Sequence, residues 1–190
     1  MDEAVLKRLI EHVGAIPGPI HGKNGKANLR RNIRGYNNAA RFSPWVVLVD
    51  LNGDAECAPP LVAHWLPHPA PQMSFRVVVR EIETWVLADR DRVAAFLGVR
   101  MRQVPQDPET LDDPKRAMVE LARLSRWRQI RDDMVPRPAS GRSVGPAYTS
   151  RLIEFVTNRE RGWRPAVAAQ SSNSLIRCIE RMADVMEQVG

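Results

Sequence analysis

The chain has 190 residues, 44% of them apolar, and a formal net charge of +6. That length can bury a sizeable core without metal or disulfide staples. No apolar run approaches the roughly 18 residues that span a bilayer and nothing resembles a signal peptide, so a soluble, cytoplasmic chain with no membrane partner is expected.

Residues 1–13, MDEAVLKRLIEHV, read as an amphipathic helix with acids at its start, and Val5, Leu6, Leu9, Ile10 and Val13 form its apolar stripe. Gly14 can end it. The connection IPGPIHGKNGK is a loop by its prolines and glycines, and a second helix is predicted over 26–40. The run WVVLVDL at 45–51 is apolar and β-branched except for Asp50. That is the pattern of a strand buried on both faces, as in a parallel sheet. A helix over 58–66, the proline-rich LPHPAPQ, a core strand over 75–79 and a helix over 81–97 follow. Strand, helix, strand, helix at this spacing predicts βαβ units and a mainly parallel sheet, hence an α/β fold. The C-terminal half is predicted to be mostly helical: 114–124, 126–132, 147–158 and 172–188. The expected organisation is a core over 1–100 with a helical extension over 101–190 packed on it, or one domain throughout.

Cys57 and Cys178 stand far apart and neither has a CxxC partner, which favours two free buried thiols over a disulfide or a cysteine zinc site. The four histidines show no HExxH or HxH arrangement. His64 and His68 are four apart, but Pro67 disfavours a shared helix face.

Charge is laid out in blocks. Residues 12–49 hold six bases and no acid, 50–113 hold eleven acids against six bases, and 114–142 hold eight bases against three acids. Such a layout suits an anionic polymer held beside a cation site, although any one basic helix is also an ordinary solvated face.

Ligands of open α/β sheets bind at the carboxyl ends of strands. Both predicted strand ends carry acids: Asp50-Leu51-Asn52-Gly53-Asp54 and Arg80-Glu81-Ile82-Glu83. Oxygens at alternating positions suit a hard divalent ion such as Mg2+ or Mn2+. Asn52 and Gly53 alone are ordinary turn residues. Asp50 differs, because a carboxylate continuous with a buried strand is costly unless paired or metal-bound. Glu81 and Glu83 sit two apart at a helix start and are expected to point in different directions, so one of them, Glu83 before Glu81, is expected to join the cluster. The fragment resembles the start of an EF-hand loop but lacks its later glycine and glutamate. Candidate phosphate contacts are the glycine–lysine loop with Lys23 and Lys26, the nearby Arg30, Arg80 and Lys115, and a loop with Arg137, Ser140 and Arg142. Exposed turns account for both loops equally simply, and the first does not have P-loop spacing.

The segments WVVLVDLNGDAECAP, FRVVVREIETWVLADRDRVAAFLGV, DDPKRAMVELARLSR and VPRPASGRSVGPAY together resemble an uncharacterised bacterial family with a Toprim-like core. That is the topoisomerase–primase domain, also found in overcoming-lysogenisation-defect nucleases and phage-defence effectors. The resemblance covers most of the chain and is most specific in REIETWVLAD. It implies a magnesium site and phosphodiester chemistry on nucleic acid, with Asp50, Asp54 and Glu83 as the catalytic acids. Asp50 matches the first acid of a DxD-like motif. Asn52 stands where the second would be, with Asp54 as substitute. The family's first strand and its glutamate are not seen before the helix at residue 1, and Glu3 and Glu11 are poor replacements by position. Two implications follow: a magnesium-dependent nuclease, or a degenerate module that docks on a partner such as an ATPase. The missing strand would leave a sheet edge open to oligomerisation.

Overall fold

The computed structural model describes residues 1–21, 25–51 and 58–188. Its described residues form an α/β fold with two parallel strands, β1 (Trp45–Asp50) and β2 (Met73–Val78). Ten α-helices surround or extend this ribbon. They are α1 (Asp2–His12), α2 (Lys26–Ala39), α3 (Ala58–Trp65), α4 (Ile82–Leu87), α5 (Arg90–Leu97), α6 (Pro114–Arg123), α7 (Arg128–Met134), α8 (Tyr148–Thr157), α9 (Pro165–Ala168) and α10 (Asn173–Glu187). No described helix is long and apolar enough to cross a membrane. Cys178 is a buried free thiol, and Cys57 lies outside the described residues.

Period-two alternation splits the sheet between two cores. Val47, Val49, Met73, Phe75 and Val77 pack with Ile33 of α2 and Leu61 and Trp65 of α3. Val46, Leu48 and Val78 face the larger core, built from α1, α4, α5, α6, α8 and α10. β2 is buried at five of its six residues, whereas β1 is fully buried only at Val47 and Val49. The apolar run at 45–51 predicted burial on both faces. β1 is instead an edge strand, and its second face is only partly covered. Trp85 and Trp163 anchor the larger core without exposed surface. Their indole N–H groups are satisfied, Trp163 by the Trp85 carbonyl at 3.0 Å and Trp85 by Ser174 Oγ at 2.7 Å.

The single helix expected over 81–97 is two helices, α4 and α5. Between them Asp89 is fully buried and accepts three hydrogen bonds from Arg164, from its backbone N–H at 2.9 Å, Nε at 3.0 Å and Nη2 at 2.7 Å. An apolar helical periodicity cannot reveal this break, because the partner lies 75 residues away in sequence.

Candidate acidic site at the strand ends

The parallel register places Asp50 beside Val78, so both strands deliver their following residues to one end of the sheet. Beyond β2 the chain turns sharply at Arg80, whose φ of 67° is left-handed. A non-glycine residue held there is strained by roughly 1–3 kcal/mol. The turn leads into Glu81 in extended conformation (φ −137°, ψ 161°) as the residue capping α4. Glu81 and Glu83 therefore do not share helical geometry, and both side chains reach the same lysine. Lys115 Nζ, in the first turn of α6, lies 2.9 Å from Glu81 Oε1 and 4.0 Å from Glu83 Oε1.

Each group in this cluster answers to its neighbours. Glu83 is 2% exposed and accepts a hydrogen bond from Tyr148 Oη at 3.1 Å. Burial raises its pKa, while Lys115 and the bond from Tyr148 partly counter this. Asp50 is pushed up to about 7, first by burial and then by the fields of Asp2, Glu83 and Glu81, with Lys115 opposing. Burial works against the charge on Lys115, but the bond to Glu81 and the fields of Glu83, Glu81 and Asp50 outweigh it, so its pKa is raised. Burial and the Glu83 carboxylate drive the Tyr148 pKa well above the usual phenol range, so Tyr148 stays a hydrogen-bond donor. Three acids, Asp50, Glu81 and Glu83, thus share the field of one lysine, and Asp2 adds its own field at Asp50.

Local sequence explains these placements. Asp113 caps α6 by accepting the Arg116 N–H at 2.7 Å, with Pro114 at its first position, and this sets Lys115 at the helix start. Gly145 lets the segment before α8 lie against the end of α7, because a side-chain carbon there would collide with the Asp133 carbonyl. That approach brings Tyr148, first residue of α8, to Glu83. A cleft of about 690 Å³ opens on the site, lined by Arg80, Glu81, Asp112, Asp113, Lys115, Arg116 and Ser143. Arg80 reaches Asp112 at 3.5 Å.

The predicted phosphate contacts divide. Lys115 and Arg80 are in the cleft. Lys26 hydrogen-bonds to the Asp50 carbonyl, lies 3.5 Å from the Leu51 carbonyl and stands 6.0 Å from the Trp65 ring. Arg30 stacks on the same ring at 5.7 Å and meets His64 Nε2 at 2.7 Å. These two cations line the other side of the β1 terminus. Arg137, Ser140 and Arg142 lie on an exposed loop that leads to Ser143 at the cleft. Lys23, Asn52, Gly53 and Asp54 lie outside the described residues. Sequence reasoning missed Asp2 and Tyr148. The acidic start of α1 was visible for Asp2, but nothing local marks Tyr148.

Among the described residues, no group of three or more His, Cys, Asp or Glu side chains is arranged to hold a metal ion. In donor chemistry the acids match a hard cation, since they supply carboxylate oxygens, and Asp50 holds its proton more tightly than a free carboxyl, first through burial and then through its acidic neighbours. The fold and site thus define an α/β chain with acids gathered at the ends of two parallel strands, beside a cleft of mixed charge. Compared with protein-family models, curated proteins and solved structures, the chain gives no significant match.

Proposed function

We propose that this chain is a Toprim-like, divalent-cation-dependent phosphoryl-transfer enzyme acting on nucleic acid, most simply a nuclease. One observation carries the reading: Glu81 and Glu83 lie against Lys115 at the sheet's carboxyl end, within the field of Asp50, whose pKa is raised to about 7 by burial and then by its acidic neighbours. Carboxylates gathered in partly buried surroundings are what a dication site requires, and perturbed acids beside a cleft favour function over scaffold. Asp50 with Glu81 or Glu83 would hold Mg2+ or Mn2+, and Asp54 stands close enough in sequence to add a ligand. Magnesium bound there supplies Lewis acidity toward a phosphoryl oxygen. Lys115, held charged, neutralises a phosphate entering the cleft. Tyr148 keeps the Glu83 carboxylate oriented. Lys26, Arg30 and the exposed Arg31 and Arg34 of the acid-free α2 give a strand of nucleic acid a basic track.

The test is thermal unfolding with and without Mg2+ or Mn2+, paired with cleavage of single- and double-stranded DNA and RNA. The metal should raise the melting temperature, and Asp50→Ala should remove both the shift and the cleavage. An unmutated chain whose melting temperature ignores both metals would sink the metal reading.

A second reading, a catalytically degenerate module that docks on a partner such as an ATPase, is favoured by Lys115. Its ammonium already lies against Glu81 and near Glu83, where a cation would sit. Recovery of the chain in a stable complex, inactive at every metal concentration, would select this reading.

A further inference from the structure

A second groove, of about 870 Å³, runs along β1 on the side away from β2. Its walls come from α1, the 15–21 loop, β1 and the end of α10, with Leu6, Ile10, Trp45, Val46, Leu48 and Met182 among them. The backbone register shows what faces it. Trp45 N–H bonds the Gln72 carbonyl at 2.9 Å and Leu51 N–H bonds the Val78 carbonyl at 3.0 Å. In a parallel ladder this turns the odd-numbered groups of β1 toward β2, and the N–H and C=O groups of Val46, Leu48 and Asp50 away from it. Lys26 takes the Asp50 carbonyl. The outward groups of Val46 and Leu48 have no backbone partner among the described residues. The outer edge of β2 is different, since Arg181 of α10 reaches the Pro71 carbonyl at 3.0 Å and the Met73 carbonyl at 3.3 Å.

We propose that the β1 edge is a docking site for an extended peptide segment of a partner protein, added as a third strand. The segment is apolar at alternate positions and carries a lysine or arginine toward the Asp50 end of the groove. Two features select that chemistry. First, the edge offers donors and acceptors in strand spacing above apolar walls, the arrangement that β-strand addition uses. Second, the charged side chains are of one sign. Among the described residues the groove is lined by the acids Asp2 and Glu3 and by no lysine or arginine, with the Met1 α-ammonium beside them, and Glu3 also holds Lys7 at 2.7 Å. Asp2 adds to the field at Asp50, which sets the acidic end toward the carboxyl terminus of β1. The other end is a stack of His21, Trp45 and Tyr36, with both neighbouring rings 5.3 Å from Trp45. The backbone edge of Val46 and Leu48, which carries the proposal, does not depend on the proposed metal chemistry.

The experiment is fluorescence polarisation of the full chain with labelled acetyl-Lys-Val-Thr-Val-Thr-Val-Lys-amide, beside size-exclusion chromatography with light scattering. Saturable binding is expected. N-methylation at alternate residues of the peptide, which removes its donors, should weaken binding by about tenfold or more. Replacing both lysines by glutamate, or Asp2→Lys in the chain, should weaken it as well. Leu48→Pro removes an outward N–H while keeping the ladder to β2, and should abolish binding in a folded chain. Should that variant fail to fold, the N-methylated peptide and Asp2→Lys decide. No binding at about 1 mM peptide, or equal binding of the N-methylated peptide, overturns the proposal. A chain that is dimeric through this edge and excludes the peptide overturns it in favour of a second copy as occupant.

Discussion

Two sites in this molecule bury carboxylates, and they solve the same physical problem in opposite ways. Asp89 is fully enclosed, and Arg164 gives it three hydrogen bonds from one residue. Asp50 and Glu83 are held near other acids and share one lysine, itself 39% exposed, with Glu81. A buried charge is costly unless paired and hydrogen-bonded. At Asp89 that requirement is met, and the ion pair locks the break between α4 and α5 to the segment before α9. At the strand ends it is met only partly. Asp50 responds by holding its proton to about pH 7. The first arrangement is scaffold. The second leaves part of that cost unmet, and Asp50 meets it by holding a proton.

The comparison can be broken most directly at the scaffold site. Arg164→Ala leaves Asp89 buried without its partner and should destabilise the fold by about 3–5 kcal/mol, read by urea denaturation. A loss below about 1 kcal/mol would mean that the Asp89 pair is as loosely coupled as the acidic cluster. Tyr148→Phe removes the one hydroxyl donated to Glu83. It should destabilise by about 1–3 kcal/mol, the cost of a buried acceptor losing its donor, and should raise the Glu83 pKa further. Carbon-detected NMR titration of the glutamate carboxyls reads the second effect.

The smallest expected change is opposite in sign. The folded-state pKa of Asp50 lies above its ordinary value of 3.8, so the folded state holds the proton more tightly than the unfolded one. Stability from this group is therefore fully present below about pH 4 and is lost as pH rises toward about 7. Asp50→Asn removes that loss. The variant should be more stable than the parent above pH 7 by about 1–2 kcal/mol after solvent screening, with the gain vanishing near pH 4. A variant equally destabilised at both pH values would show that Asp50 is a paired structural acid like Asp89.

Much of the local structure was legible along the chain. The apolar stripe of α1, the β-branched run of β1, the second core strand and the helical C-terminal half come from short-range periodicity, which the backbone imposes at 3.6 and 2 residues. The charge of Asp50 at the end of an apolar strand was visible too, and the fold places it in partly buried surroundings that raise its pKa. The parts that failed share a cause. The periodicity across 81–97 hid the break at Asp89, since its reason is Arg164. The spacing of Glu81 and Glu83 suggested divergence, since the extended cap at Glu81 follows from the turn at Arg80.

Sequence by itself thus determined element types, the parallel α/β character and the acidic content of the strand ends, because these depend on neighbours a few residues apart. Only the tertiary structure decided which acids meet. Lys115 and Tyr148 reach Glu83 from 32 and 65 residues away, and the field at Asp50 comes from Asp2 at one end of the chain and Glu81, Glu83 and Lys115 in later elements. Burial and charge are properties of a place in space, and chain order alone does not specify that place.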